Sequence, residues 1–227
     1  MIDYDRNKPL IFIHIPKTAG ISLRTVFETW YGEGLLRHYA NEQSGMFPEV
    51  IDLDDAEKKG QPVCLYGHFN RLRGFGIPGR YDGVTQFVTI LRDPLEQSVS
   101  RYFYVRKSGG NWKDKSRVPQ GDLETFLRED KPTLLIHFPA ILTLDNYKDV
   151  IEEKFIAVGT TEKLSESMQL ISRRLGFPYQ DVPRLNVTER DQTISDAIGD
   201  DFRARHRLEY EVYDYCARRL QDQLEQG

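Results

Sequence analysis

Ile11-Phe12-Ile13-His14-Ile15-Pro16-Lys17-Thr18-Ala19-Gly20-Ile21-Ser22-Leu23 is the stretch that decides the fold. It opens as a buried-strand run and breaks into a short polar loop carrying a lysine, two hydroxyls and a glycine. Leu23 to Trp30 then continues as a helix. A strand, a polar loop and a helix start together make an anion site, because the first N–H groups of a helix lack partners and the dipole there favours negative charge. Lys17 adds a full positive charge, Thr18 and Ser22 add hydroxyl donors, and Gly20 allows close approach of the backbone. The commoner phosphate loop, Gly-x-x-x-x-Gly-Lys-[Ser/Thr], puts its lysine directly after a glycine. Here Lys17 precedes the glycine, so it enters from the strand side.

A βα loop with such residues is often innocuous, and a second anion site is what decides. Phe87-Val88-Thr89-Ile90-Leu91 is another short strand pattern. It ends at Arg92-Asp93-Pro94, with Asp93 suited to an N-cap and Pro94 to the first helical position. Leu95, Val99 and Tyr102 then form an apolar stripe, with Ser100 one residue off it. Arg92 leaves the C-terminal edge of its strand, where open α/β sheets bind ligands. Its planar guanidinium and a nearby hydroxyl suit a second phosphate. The plainer alternative pairs Arg92 with Asp93 or Glu96.

Together, Pro-Lys-Thr-Ala-Gly-x-Ser-Leu after the first strand and Leu-Arg-Asp-Pro with Ser100 beyond it resemble the sulfotransferases that use 3′-phosphoadenosine-5′-phosphosulfate (PAPS). The Gly67-His68-Phe69 and Val158-Gly159-Thr160-Thr161-Glu162 segments resemble the carbohydrate (heparan-type) branch of that family. The resemblance implies that Lys17, Thr18, Ala19, Gly20, Ile21 and Ser22 hold the 5′-phosphosulfate, and that Arg92 and Ser100 hold the 3′-phosphate. It implies PAPS as sulfuryl donor, adenosine 3′,5′-bisphosphate (PAP) as product, and no required metal. Ile21 departs from the pattern, where a hydroxyl residue is common, and the glycine-rich C-terminal loop of the small-molecule enzymes is not recognisable.

The chain has 227 residues, a net charge of −4, 39% apolar and 29% charged residues. This is a soluble globular composition, with no general attraction to nucleic acid or anionic membrane. Cys64 and Cys216 are distant in sequence and read as reduced core residues. The histidines (14, 38, 68, 137, 206) have no ligand spacing with one another, so no metal is expected. Neither a signal pattern nor a run of ~20 apolar residues is present. We therefore expect a soluble, bacterial-type enzyme of the cytoplasm, in which the Asn186-Val187-Thr188 sequon is chance.

Apolar runs at 10–15, 63–66, 84–91 and 154–158 predict buried parallel strands. Helices are expected at 21–31, 94–106, 122–129, 134–145, 163–176 and 196–224, the last with Leu208, Val212, Tyr215, Cys216 and Leu220 on one stripe. The alternation predicts an α/β, three-layer fold like that of the P-loop kinases, with a central, mainly parallel sheet. We expect one domain over 1–227, with irregular substrate-side segments at about 32–62 and 107–121. Basic residues cluster with aromatic ones at 101–117, and Arg71, Arg73 and Arg80 form a smaller group. These read either as solvated loop charge or as a groove for an anionic or sugar-like acceptor, with Arg71 and Arg106 as its substrate-binding cations.

In sulfuryl transfer the protein aligns donor and acceptor and stabilises charge on the leaving oxygen. Lys17 would neutralise that charge. His68, at the end of the strand Val63-Cys64-Leu65-Tyr66, is the candidate general base, with an unperturbed pKa of ~6.5. His14 beside the cradle is its rival, and Glu162 is the third choice. The function expected is transfer of a sulfuryl group to a hydroxyl on a saccharide or other polar acceptor. The alternatives are a P-loop-type kinase using ATP and a non-catalytic nucleotide-binding protein. Oligomeric state is not legible.

Overall fold

A computed structural model describes residues 1–53, 60–183 and 194–225; the sequon at 186–188 lies outside them. Five strands, β1 (Leu10–Ile13), β2 (Leu35–His38), β3 (Cys64–Gly67), β4 (Gln86–Leu91) and β5 (Phe155–Thr160), form one sheet in the order β2-β3-β1-β4-β5. Every pairing is parallel. Parallel strands buried on both faces need apolar side chains pointing both ways, which is why β1 is a continuous apolar run. Period-2 alternation sends Ile11 and Ile13 into one core cluster and Leu10 and Phe12 into the other. The expected three-layer α/β architecture is therefore observed.

On the Leu10/Phe12 face, α1 (Gly20–Tyr31) and α5 (Leu164–Leu175) cover the sheet. On the other face lie α4 (Tyr147–Lys154) and the segment carrying Leu134, Phe138 and Leu142. The last helix, α7 (Arg207–Glu225), gives Val212 and Cys216 to one cluster and Leu220 to the other. A satellite core joins α2 (Pro94–Ser108), α3 (Leu123–Glu129), α6 (Asp196–Arg205) and α7 through Val99, Tyr102, Leu127, Ile198, Phe202 and Tyr210.

The sequence reading differs from the structure at four elements, one of them α4, which lies where no helix was expected. The edge strand β2 sits inside a segment expected to be irregular, because its side chains are mostly half-buried and give no apolar run. The helix expected at 134–145 is a single 3₁₀ turn at Leu135–His137, since Pro139 forbids its continuation and Phe138 is already extended. The helix expected at 196–224 breaks at His206, whose ring bonds Glu209 and the Asp130 carbonyl.

Strand order positions the site. The connection leaving β1 runs toward β2 and the one leaving β4 runs toward β5, on opposite sides. Between them the C-terminal ends of β1 and β4 open a crevice at the topological switch point. Lys17 follows β1 there, Arg92 follows β4, and His68 follows β3 on the other flank of β1.

Candidate active site

The loop from Ile15 to Gly20 is held by its carbonyls. Thr18 Oγ1 donates to Ile15 O (2.8 Å), Gln97 Nε2 to Pro16 O (3.0 Å), Arg92 Nη1 to Lys17 O (3.3 Å) and Tyr66 Oη to Gly20 O (2.8 Å). With the carbonyls turned to these donors, the N–H groups are the part of the loop left for a ligand. Lys17 and Ala19 both lie in the left-handed region, at φ 73° and 61°, with Thr18 between them at negative φ. Alternation of this kind directs successive N–H groups into a concave anion nest. Non-glycine residues at positive φ cost energy and persist where surrounding contacts impose them.

The nest continues into α1. Its N-cap, Ala19, supplies no capping side chain, and its first turn holds no acidic residue. The helix end therefore lacks the intramolecular acceptor most helices carry. Ser22 is buried in this first turn, while Ile21 is 51% exposed at its edge. Two further contacts shape the loop. The Thr18 hydroxyl hydrogen goes to Ile15 O, so Thr18 offers a ligand its backbone N–H rather than its side chain. Gly20 is glycine because of His14: a Cβ there would lie 1.8 Å from the imidazole Nε2. The ring makes one close approach to this backbone.

The second cation, Arg92, sits in the turn between β4 and α2. Asp93 caps that helix by accepting from Glu96 N (3.0 Å), and Pro94 is its first residue. Arg92 pairs with Glu96 (3.3 Å) while reaching the Lys17 carbonyl, so both readings of this arginine hold together. Gln97 fastens the helix to the cradle, and Ser100 is buried one turn further on. Burial lowers the Lys17 pKa, and the Arg92 charge acts in the same direction.

Beside the cradle, His68 Nδ1 lies 2.6 Å from the His14 carbonyl. A carbonyl can only accept, so Nδ1 carries the proton and Nε2 bears the lone pair. Burial pushes the His68 pKa down to about 4; the His14 hydrogen bond and Glu42 oppose the shift, and His38 and Arg73 reinforce it. This replaces the expected ordinary imidazole with one that stays neutral far into acid. His14, the rival base, lies 4.3 Å from His68 centre to centre, and its Nδ1 meets the Tyr39 hydroxyl at 2.8 Å. Its pKa is held well below the usual value by burial and by His68. Glu162 accepts from the Asp93 N–H (3.1 Å), which places it across β4 from His68.

His38 and His137 join this group, which sequence spacing concealed. His38 Nδ1 donates to the His68 carbonyl (2.8 Å), and His137 Nδ1 to the Phe69 carbonyl. Burial lowers the pKa of His38 and brings that of His137 to about 3. Among the described residues no group of three or more His, Cys, Asp and Glu is arranged to hold a metal ion.

The two expected acceptor cations each donate to a backbone carbonyl. Arg71 donates to Leu135 O (2.8 Å) at the rim. Arg106 belongs to the last turn of α2. It lies about 200° round α2 from Tyr104, and Tyr104 is the residue that meets Lys17. Arg106 instead donates to Tyr102 Oη (2.6 Å) and Gly121 O (3.2 Å), fastening the helix to the following loop.

No protein-family model matches the chain, and no curated protein sequence matches it. Among solved structures it is similar to mouse sulfotransferase SULT7A1 complexed with PAP, at TM-score 0.51 and 15% identity over 78% of this chain. The fold is that of the sulfotransferases. The chain spans 62% of the length of the mouse protein. A sulfotransferase from Alicyclobacillus acidocaldarius aligns at TM-score 0.49 and 15% identity, over 91% of this chain and 96% of its own.

Within this sulfotransferase fold, sequence reasoning missed Tyr66, Gln97 and Tyr39, and it missed the contact with Lys17 of Tyr104, one of the aromatics in the basic segment 101–117. Each touches the loop, His14 or Lys17 from a distant segment, so no local spacing announces it.

Proposed function

We propose that this chain transfers a sulfuryl group from PAPS to a hydroxyl of a saccharide or other polar acceptor. The observation that carries the reading is the nest: loop carbonyls bound to Thr18, Gln97, Arg92 and Tyr66, left-handed Lys17 and Ala19, and an uncapped α1, all facing one crevice. The 5′-phosphosulfate would be held by the N–H groups from Lys17 to Ser22 and by the Lys17 ammonium. The 3′-phosphate would be held by Arg92 and Ser100. A solved sulfotransferase structure with this fold is complexed with PAP, which supports the choice of donor.

The donor supplies an activated sulfur–oxygen bond. Transfer forms the acceptor oxygen–sulfur bond and breaks the bond from sulfur to the bisphosphate oxygen. Lys17 neutralises charge on that leaving oxygen, and His68 Nε2 takes the acceptor proton. The Nδ1–H bond to the His14 carbonyl keeps the imidazole in the tautomer that can do so. Arg71 stands at the acceptor side. No helix among the described residues is long and apolar enough to cross a membrane; with Cys64 and Cys216 as buried free thiols, we place the chain in the cytoplasm, as one catalytic domain.

The test is turnover. Purified protein is incubated with PAPS and pools of simple sugars, tyrosyl peptides and alcohols, and PAP release and acceptor mass are followed. PAP formation with an acceptor that gains one SO₃ supports the proposal. Phosphoryl transfer from Mg-ATP to the same pools, with none from PAPS, overturns it in favour of a kinase.

A further inference from the structure

Lys17 does not project into open solvent. Its ammonium sits 4.3 Å from the centre of the Tyr104 ring. Tyr104 lies one helical turn beyond Ser100 on α2 and is 46% exposed. Its hydroxyl has no hydrogen-bond partner among the described residues. The ring has an aromatic neighbour. Trp112 lies 6.3 Å from it, the Arg117 guanidinium sits 4.7 Å over Trp112, and Arg117 donates to Glu42 (2.6 Å). Glu42 takes Arg73 on its other oxygen (2.6 Å), and Arg73 in turn lies over Phe47 (5.1 Å) and Phe75 (5.3 Å). An unbroken run of rings and charges therefore joins the cradle lysine to the irregular segments on both sides of the crevice.

The choice of partner is informative. A carboxylate at this place would hold Lys17 but cancel its charge and occupy its N–H donors. A ring face attracts the ammonium through its quadrupole and leaves those donors available. Lysine has a flexible four-carbon stem, so an unheld ammonium would spend most of its time away from any fixed point. Burial pushes the Glu42 carboxyl up, but Arg73 and Arg117 outweigh it and keep it ionised, so the brace stays charged.

We propose that Tyr104 is the positioning residue for Lys17: its ring face fixes the ammonium at the cradle while leaving the N–H donors for the leaving oxygen, and the Trp112–Arg117–Glu42 brace fixes the ring. The role in turnover rests on the donor reading above.

The experiment compares wild type with Tyr104→Phe and Tyr104→Ala, substitutions at a half-exposed helix surface whose melting temperatures verify the fold. Three readouts are taken: PAP affinity by calorimetry, PAP release from PAPS, and the NMR shift of ¹³C-methylated Lys17, which a ring face moves upfield. Tyr104→Ala should lower turnover about tenfold while PAP affinity changes less than about threefold. Its Lys17 signal should move to the position of exposed lysines. Tyr104→Phe should keep the upfield shift and at least half the rate, since the ring face and not the hydroxyl does the holding. Unchanged turnover in Tyr104→Ala, or a Phe variant as slow as Ala, overturns the proposal. An unshifted Lys17 signal in wild type overturns it too, and does so whether or not PAP binds. Absence of PAP binding in wild type alongside a shifted Lys17 signal instead strikes the donor reading.

Discussion

Acidification from pH 7 to pH 5 should remove a large part of this fold's stability through its buried imidazoles. Burial holds His68 at about 4 and His137 at about 3. The folded chain therefore stays unprotonated where the unfolded chain takes up protons near the ordinary value of ~6.5. Stability from these groups is full above that value and falls as pH drops toward 4. For one histidine neutral in the folded state, the loss between pH 7 and 5 is about 1.9 kcal/mol, so the pair accounts for about 4 kcal/mol. That is a large share of the 5–15 kcal/mol typical of a domain. His14 and His38 are shifted in the same direction and steepen the dependence. Urea unfolding followed by tryptophan fluorescence at pH 7, 6 and 5, with a constant m-value, measures it. His137→Asn keeps a side-chain N–H for the Phe69 carbonyl and removes the titration, so it should flatten the curve by about 2 kcal/mol over that interval. Stability constant within about 0.5 kcal/mol from pH 7 to 5, or an undiminished slope in His137→Asn, would refute the reasoning.

Lys17→Met keeps side-chain length and removes the charge; turnover of PAPS should collapse while PAP affinity weakens only modestly, as expected for a group acting chiefly in the transition state. A rate within about threefold of wild type would contradict the role given to Lys17. His68→Asn should leave PAP binding almost unchanged and cut transfer by roughly 10²–10⁴. The wild-type rate should hold through pH 6 and fall only toward about 4, where His68 protonates; an acid limb near pH 6.5 would mean a different base. Gly20→Ala should lower the melting temperature and PAP affinity because its Cβ meets the His14 ring, and His14→Ala in the same chain should restore much of both. Strictly additive losses would show that the ring is not the obstacle.

How far the sequence reaches follows from how local each feature is. β1, β3, β4 and β5 were legible because parallel strands covered on both faces need near-continuous apolar runs, and Leu10–Ile13 and Phe87–Leu91, the latter interrupted by Thr89 alone, are such runs. The cradle and the start of α2 were legible because caps, prolines and loop residues act within a few positions, as Asp93 does on Glu96. Residues joined only by the fold were not. Gln97 reaches Pro16, Tyr66 reaches Gly20, and His14, His38, His68 and His137 gather from four separate segments. The contacts of Arg106 with Tyr102 and Gly121 were hidden because a basic cluster read along the chain ignores the 100° turn per helical residue. The depressed pKa of His68 depends on burial, which no spacing encodes.

The central claim is that the crevice between β1 and β4 is built for two phosphate-like groups, one on the nest and one on Arg92 and Ser100. Calorimetric titration of PAP against ADP, on wild type and on Arg92→Ala, tests it most directly. A charge-assisted contact worth about 1.5–3 kcal/mol corresponds to roughly a 10–150-fold gain in affinity. The account predicts that wild type binds PAP at least tenfold more tightly than ADP without magnesium, and that Arg92→Ala erases most of the difference by weakening PAP alone. Equal affinity for PAP and ADP on wild type, or a preference for PAP that survives Arg92→Ala intact, would contradict it.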